Sequence, residues 1–187
     1  MRKEKLVMIG NGMAGVRTIE DMLKIAPEAF EITIFGNEPH PNYNRIQLST
    51  VLQGDTTVED IIMNSWEWYR DHDIQLFTNE AIVKIDSEAK QVISDKGRKV
   101  EYDELIIATG SSSFILPIPG ADKKGVTGFR DIQDCEMMIK TAKEYKRAAV
   151  IGGGLLGLEA ARGLLNLGME VDVIHLMPHL MERQLDP

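Results

Sequence analysis

The chain has 187 residues, enough for one domain or two small ones, and 43% of them are hydrophobic, which suffices for a packed core. Its net charge of −8, from 21 basic and 29 acidic residues, argues against nucleic acids and anionic membrane surfaces as partners. A single cysteine, Cys135, excludes a disulfide framework, and the lack of a signal peptide or a long apolar span predicts a cytoplasmic location.

The first 35 residues predict a βαβ unit, in which a helix joins two parallel strands. Residues 6–9 are predicted as a short apolar strand and residues 31–35 as a second one. Between them, residues 14–26 carry apolar side chains at helical spacing, and Pro27 ends the helix. The stretch "GNGMAG", at residues 10–15, supplies a glycine turn before the helix. A unit of this kind implies a right-handed crossover in a parallel sheet.

The middle of the chain predicts a loop and then a β-rich region. Residues 36–57 are polar and interrupted by prolines, which indicates a long loop with a short helix near Leu48. Between residues 74 and 102, short β-rich stretches alternate with turns such as "SEAK" and "DKGR", which predicts an antiparallel meander. The apolar stretch "ELIIATG", at residues 104–110, is predicted as one further strand.

A segment rich in Ser, Pro and Gly follows and is predicted as a linker, which places a domain boundary between residues 116 and 117. Beyond a helix near residues 132–144, "AAVIGGG" predicts a strand and a second glycine turn. An apolar helix, ended by Gly168, and the strand "EVDVIHL" complete a second βαβ unit. The predicted fold class is therefore α/β, with domains at residues 1–116 and 117–187.

Both glycine turns fit the pattern G-x-G-x-x-G. Its first glycine permits a tight turn, its second lets a pyrophosphate approach the backbone, and its third lets helix and strand pack closely. The phosphates then lie at the helix N-terminus, where free N–H groups and the helix dipole attract anions. Because each pattern lies between a predicted strand and a predicted helix, we expect two dinucleotide sites rather than two structural turns. The glycines are Gly10, Gly12 and Gly15 in the first turn, and Gly152, Gly154 and Gly157 in the second.

A dinucleotide site also uses an acidic residue after the second strand, which binds the ribose hydroxyls. In the first unit Glu38 takes this place, two residues after Gly36. In the second unit the equivalent residue is His175, which is compatible with a 2′-phosphate or with a side chain that points to solvent. The sequence therefore leaves the choice between NADH and NADPH open. Two dinucleotides in one chain are most economically a flavin and the nicotinamide nucleotide that supplies its hydride.

Other candidate residues have simpler explanations. His175 and His179 have the spacing of a helical metal pair, but Pro178 interrupts a helix there and no third ligand is near, so no metal site is predicted. Cys135 is expected to be a packing residue, since no nearby histidine would activate it. The aromatic residues at positions 66–69 are expected to pack or to lie at the surface. No side chain is assigned a catalytic role.

Longer stretches resemble flavoproteins with two dinucleotide-binding domains. "YDELIIATG" is similar to the strand that passes close to FAD in that superfamily and leads into its NAD(P)H domain, and "GGGLLGLEAARGLLNLGMEVDVIHL" is similar to the entry of that domain. "PNYNRIQLST" resembles a loop of the ferredoxin-reductase-like branch. Together with "GNGMAGVRTIEDML" and "LMERQLD", it most resembles the flavin-reductase part of the large subunits of assimilatory NAD(P)H-dependent nitrite reductases. The resemblance covers essentially the whole chain.

This resemblance implies a Rossmann-like, three-layer FAD-binding domain with an antiparallel meander, followed by the start of a Rossmann-like NAD(P)H-binding domain. It implies FAD contacts at Gly10, Gly12, Met13, Ala14, Gly15, Glu38, Arg45, Thr50, Ile82, Ala108, Thr109 and Gly110. It implies contacts to the nicotinamide nucleotide at Gly152, Gly154, Leu155, Leu156, Gly157, Glu159 and His175. Many relatives have a lysine at the position of Thr50, and the usual ribose-binding acid at the position of His175.

The implied activity is that of an electron-input module. A hydride passes from NAD(P)H to N5 of FAD, and electrons then leave singly towards iron–sulfur and siroheme centres that reduce nitrite to ammonia. In this family both domains and those centres extend further along the chain, so we expect an N-terminal fragment in which both domains are incomplete. The expected partners are the rest of the polypeptide and a small subunit, and open sheet edges favour self-association. Two alternatives stay open: an NAD(P)H-dependent rubredoxin or ferredoxin reductase, and a non-catalytic fragment that is largely free of cofactor.

Overall fold

A computed structural model describes residues 2–182 and 184–186. The chain divides into two compact units. The first comprises the residues up to Asn44 together with Ile62–Ser111, and the second comprises Arg45–Ile61 together with the residues from Ser112 onward. A segment from the first third of the chain therefore belongs to the second unit. The division into domains at residues 116 and 117 stays a prediction.

The order of elements repeats the predicted βαβ pattern in both halves of the chain. None of the helices in the described residues has the length and apolar character needed to cross a membrane. In chain order the elements are β1 (Glu4–Ile9), α1 (Met13–Ile25), β2 (Phe30–Phe35), α2 (Leu48–Gln53), α3 (Trp66–Asp71), β3 (Gln75–Phe77), β4 (Ile82–Asp86), β5 (Gln91–Ser94), β6 (Lys99–Glu101), β7 (Glu104–Ile107), α4 (Ile132–Ala142), β8 (Arg147–Ile151), α5 (Leu155–Asn166) and β9 (Glu170–Ile174).

The first unit is built around a parallel sheet with the strand order β3-β2-β1-β7. β1 lies inside this sheet, and its side chains alternate between two faces. Leu6 and Met8 share a buried cluster with residues of α1, whereas Val7 and Ile9 share another with Val92 of β5. Helix α1 and the antiparallel sheet β4-β5-β6 therefore cover opposite faces of the parallel sheet. This confirms the expected three-layer arrangement with a meander.

One predicted β-stretch pairs differently from its neighbours. The sequence pattern groups residues 74–77 with the meander, but β3 pairs parallel with β2 at the edge of the main sheet. The rings of Phe35 and Phe77 stack there, with their centroids 5.1 Å apart. Alternating hydrophobicity alone does not show to which sheet this strand belongs, since a strand with one buried face gives the same pattern in either sheet. The meander itself is confirmed for the three strands β4, β5 and β6.

The second unit contains the parallel pair β8 and β9 and the helices α2, α4 and α5. Ala142, Leu164 and Met169 form one buried cluster in it. Helix α2 packs against both α4 and α5. At Gly163 of α5, a Cβ atom would lie 2.5 Å from Cγ of Leu52, so the absence of a side chain lets α2 lie directly on the backbone of α5.

Cys135, in α4, is buried within this unit. Its burial, followed by the nearby acidic side chains, raises the pKa of the thiol to about 12. Its Sγ lies 3.7 Å from the carbonyl oxygen of Leu48 in α2. Because the thiolate is the nucleophilic form of cysteine, these observations support the packing role predicted for this residue.

Candidate functional site

The first glycine turn, between β1 and α1, assigns a different structural role to each of its glycines. Gly10 has a φ of 108°, which L side chains rarely adopt, and a Cβ atom there would collide with the carbonyl oxygen of Ala108. At Gly15 a Cβ atom would lie 3.0 Å from that of Ala108. At Gly12, by contrast, nothing lies within 4 Å of the Cβ position. The turn is therefore closed at its first and third glycines and open at its second.

Helix α1 begins at this open position. Gly12 is its N-cap, with extended backbone angles (φ −88°, ψ 175°), and no side chain caps the helix. The first-turn N–H groups of an α-helix have no partner within the helix, and here they include those of Met13 and Ala14. The first turn of α1 also contains no acidic side chain that would repel an anion. A diphosphate fits the chemistry and the space at this end of the helix.

The second glycine turn, between β8 and α5, shares the backbone geometry of the first, although nothing lies within 4 Å of the Cβ position at Gly152. Gly152 has a φ of 118°, and its N–H donates to the carbonyl of Ile174 in β9 at 2.9 Å, just as Gly10 donates to β2 at 2.7 Å. A Cβ atom at Gly157 would collide with the carbonyl oxygen of Gly152. Gly154 is the N-cap of α5, with angles of −84° and −176°, and nothing lies within 4 Å of its Cβ position.

The start of α5 carries three further residues predicted to contact the nucleotide. Leu155 and Leu156 are its first two residues, and about half of each side chain is exposed (52% and 54%). Glu159 lies one turn later and is half-buried. The structure thus brings these residues together with the second glycine turn.

Glu38 lies just beyond β2, where a ribose-binding acid is expected. Its Oε2 accepts a hydrogen bond of 2.6 Å from the hydroxyl of Tyr43, a residue that is 4% exposed. The N–H of Asn79 donates to the Glu38 backbone carbonyl at 2.9 Å. The backbone and the carboxylate of Glu38 are therefore both held in place.

His175 occupies the equivalent place after β9, and it does not point to solvent. Its side chain is 14% exposed, and its Nδ1 accepts the N–H of Gly153, in the second glycine turn, at 3.0 Å. Its Nε2 lies 3.1 Å from Oε2 of Glu182 and 3.0 Å from the carbonyl oxygen of His179. The solvent-facing alternative is therefore wrong. Within the described ranges, no group of three or more acidic, histidine or cysteine residues is placed to hold a metal ion.

Sequence reasoning missed a set of polar contacts behind the first glycine turn. The hydroxyl of Tyr69 donates to Oδ1 of Asn11 at 2.8 Å and accepts the N–H of Asn42 at 3.2 Å. Asn11 in turn donates from Nδ2 to the carbonyl of His40 at 3.4 Å. Burial raises the pKa of Tyr69 to about 12, so its hydroxyl keeps its proton across the physiological range. These bonds connect the glycine turn to the loop that carries Glu38.

In the sequence, only Asn11, the polar residue between two glycines in "GNGMAG", indicates these hydrogen bonds. A side chain there can form hydrogen bonds without blocking the open position at Gly12. Nothing in the local pattern around Tyr69 distinguishes it from a packing aromatic, because its partners lie far away in the chain.

The remaining predicted FAD contacts fall in both units. In the first, Ala108 follows β7 and touches the glycine turn, Thr109 and Gly110 come next and are exposed, and Ile82 begins β4. The second unit holds the other two. Arg45 donates from Nη1 to the carbonyl of Arg130 at 3.2 Å, and Thr50 donates from Oγ1 to the carbonyl of Gln47 at 2.8 Å.

Comparisons with known proteins agree with this geometry. The profile of the pyridine nucleotide-disulphide oxidoreductase family matches residues 4–187. The chain is 68% identical to the nitrite reductase (NAD(P)H) of Bacillus subtilis (strain 168) and 58% identical to the assimilatory nitrate reductase electron transfer subunit of the same organism. In each case 100% of the chain is covered, against 23% and 24% of the relative. The chain therefore spans about a quarter of the length of these curated relatives.

Among solved structures, the crystal structure of NADH:rubredoxin oxidoreductase from Clostridium acetobutylicum matches with a TM-score of 0.88 and 28% identity, over 99% of this chain and 48% of that one. Its likeness supports the Rossmann-like α/β fold deduced from the two βαβ units. With its two matching glycine turns and a family profile that extends from residue 4 to residue 187, the chain belongs to the pyridine nucleotide-disulphide oxidoreductase family.

Proposed function

We propose that the first unit binds FAD at the turn between β1 and α1, and that the second binds NAD(P)H at the turn between β8 and α5. The observation that carries this proposal is the backbone geometry that the two turns share. In each, the first glycine has a positive φ, the third is closely packed, and the second leaves open space at a helix N-terminus. This combination provides both room and positive partial charge for a diphosphate.

In the first unit, the FAD diphosphate is proposed to lie against Gly12, Met13 and Ala14. Glu38, oriented by Tyr43, is proposed to accept hydrogen bonds from the ribose hydroxyls. Because one oxygen of this carboxylate is already hydrogen-bonded, the side chain loses less conformational entropy when the ribose binds, which favours affinity. The further proposed contacts in this unit, carried by the family resemblance, are Gly10, Gly15, Ile82, Ala108, Thr109 and Gly110. Arg45 and Thr50 belong to the second unit, and their contact with FAD stays a prediction of the resemblance.

In the second unit, the nucleotide phosphates are proposed to lie against Gly154 and the first turn of α5, with His175 at the ribose end. Glu159, one turn into the helix, is proposed to lie towards the nicotinamide. The further proposed contacts are Gly152, Leu155, Leu156 and Gly157. The described residues thus supply binding and orientation.

When bound, FAD supplies a two-electron acceptor for the hydride of NAD(P)H and can release electrons one at a time. The chain's own contribution is electrostatic and steric. Backbone N–H groups balance the phosphate charges, glycines give the phosphates access, and the side chains of Asn11 and Tyr69 hold the first turn in place. No side chain is proposed to transfer a proton.

We further propose that this oxidoreductase module delivers electrons to a nitrite reductase. The support is the 68% identity over the whole chain to a protein of that name, of which the chain covers 23%. In such a protein, iron–sulfur and siroheme centres elsewhere in the polypeptide would receive the electrons, a small subunit would be a partner, and the location would be the cytoplasm.

Visible absorption spectroscopy of the purified protein tests the proposed function. We expect the flavin spectrum with one FAD per chain, and we expect NADH or NADPH to bleach it in the absence of oxygen. A colourless protein that does not take up added FAD would contradict the flavin site and favour the cofactor-free alternative. Rapid transfer of the electrons to added rubredoxin would instead favour a rubredoxin reductase.

A further inference from the structure

The second nucleotide turn has a histidine where a ribose-binding carboxylate is usual. That carboxylate normally follows the second strand of the βαβ unit and accepts the ribose 2′-hydroxyl, and its charge disfavours a 2′-phosphate. His175 follows β9 at this position and bonds directly to the glycine turn through the N–H of Gly153. The discrimination between NADH and NADPH must therefore come from another group or be absent.

The hydrogen bonds of His175 define which of its nitrogens carries the proton. Because Nδ1 accepts the Gly153 N–H, it holds a lone pair, and the ring proton is on Nε2. Nε2–H can then donate to the Glu182 carboxylate at 3.1 Å and to the His179 carbonyl at 3.0 Å. Both ring nitrogens are therefore already engaged. The imidazole acts as a connector between the glycine turn and the Glu182 carboxylate.

The segment that carries Glu182 is fixed to the same turn by a second, independent contact. The N–H of Met181 donates to the carbonyl of Gly153 at 2.9 Å. The side chain of Leu180 also fills the space where a Cβ atom of Gly153 would be. A backbone bond and an apolar contact thus hold the segment of Glu182 beside the glycine turn, in addition to the bond from His175.

We propose that Glu182 is a specificity-determining residue of the nucleotide site, and that its negative charge makes the protein prefer NADH over NADPH. This inference rests on the proposed function of the second turn. The carboxylate lies on the side of the His175 ring away from the glycine turn, and the proposal places the ribose 2′ substituent near it. A 2′-phosphate would bring at least one further negative charge close to it, whereas a 2′-hydroxyl is neutral and can donate a hydrogen bond.

The test compares the dissociation constants of NADH and NADPH for the full chain and for its Glu182→Gln variant, measured by nucleotide titration. Glutamine keeps an oxygen that accepts the His175 Nε2–H, so the variant removes the charge and preserves the shape. We expect the variant to bind NADPH about tenfold more tightly, because a tenfold change corresponds to the loss of one charge interaction near a protein surface. Its affinity for NADH should stay within about threefold of the original affinity.

Glu170→Gln is the matched control, because Glu170 lies at the opposite end of β9 and its side chain is 82% exposed. Its ratio of NADH to NADPH affinity should stay unchanged. If Glu182 had only a structural role, the variant would bind both nucleotides more weakly, by the same factor. An unchanged ratio in Glu182→Gln, or an original preference for NADPH, overturns the inference alone. If neither nucleotide binds to the unmodified chain, the proposed function of the second unit fails and the inference with it.

Discussion

At the scale of single residues, the glycines of a turn are needed for different reasons, some for folding and some for ligand binding. Gly10 is required by the backbone itself, since its φ is 108° and the Ala108 carbonyl fills the space where a side chain would be. Gly12 has backbone angles that any residue adopts and open space at its Cβ position. The fold therefore needs glycine at the first position, whereas only a ligand needs it at the second.

Gly12→Ala should fold normally and bind FAD poorly. We expect a change of less than about 1 kcal/mol in the free energy of unfolding, since alanine fits the backbone and differs only modestly from glycine as a helix N-cap. We expect the dissociation constant of FAD to rise at least about tenfold, since the new methyl group occupies the approach of the diphosphate. Urea unfolding and FAD titration measure the two effects.

Two variants serve as controls for Gly12→Ala. Gly10→Ala should lose more than about 2 kcal/mol of folding free energy, through strain and collision with the backbone. Gly154→Ala should leave the affinity for FAD unchanged and weaken only the binding of the nicotinamide nucleotide. Full FAD affinity in Gly12→Ala would show that the open position is not the diphosphate site.

At the scale of elements, one carboxylate joins the strands of the antiparallel sheet. Glu80 lies shortly before β4, which begins at Ile82, and it is 3% exposed. Its Oε1 accepts hydrogen bonds from Oγ of Ser94 at 2.6 Å and from Nε of Arg98 at 2.9 Å. These partners come from the end of β5 and from the turn that follows it. The Arg98 guanidinium also lies 3.9 Å from the centroid of the Phe77 ring.

Glu80→Gln should destabilise the protein by about 1–3 kcal/mol at neutral pH, because it weakens two hydrogen bonds to a charged acceptor. The Ser94 hydroxyl, and then Arg98, lower the pKa of Glu80 below its ordinary value of 4.5. Its charge therefore stabilises the fold above that value, and this contribution is lost as the pH falls through the lowered pKa. The difference between the two proteins should shrink below pH 4.5, as urea unfolding at several pH values would show.

Glu88→Gln is the matched control, since Glu88 is exposed in the turn between β4 and β5. It should change stability little at any pH. Equal stability of Glu80→Gln and the original protein at neutral pH would mean that the carboxylate does not join these strands.

The same scale shows which elements could be predicted from the sequence. β1, α1 and β2 follow their hydrophobic periodicity, and the glycine pattern between them determines where the diphosphate can lie. The pairing of β3 and the packing of α2 could not be predicted, because they depend on partners distant in sequence, such as Gly163 for Leu52. At the site, the positions of Glu38 and His175 follow from the βαβ pattern, whereas the bonds that orient them are tertiary contacts.

At the scale of the whole molecule, the second unit is assembled from two separate parts of the chain. Helix α2, from the segment Arg45–Ile61, packs against α4 and α5. Leu52 is fully buried there and fits against the backbone of α5 at Gly163. Asn166 also donates from Nδ2 to the carbonyl of Gln53 at 3.5 Å. Residues 112–187 therefore lack a part of their own core when they are separated from this segment.

We expect a polypeptide of residues 112–187 to show no cooperative unfolding transition by circular dichroism, because the surface that α2 covers becomes exposed to water. Within the full chain, Leu52→Ala should destabilise the protein by about 2–5 kcal/mol, the cost of a cavity in a packed core. Ile46→Ala is the matched control from the same segment, since Ile46 is 75% exposed, and it should cost little. A cooperative transition in residues 112–187 alone would show instead that the second half of the chain folds without α2, as a domain at residues 117–187 requires. The two outcomes thus decide whether the segment around Arg45 is needed to build the nucleotide-binding unit or only lies on its surface.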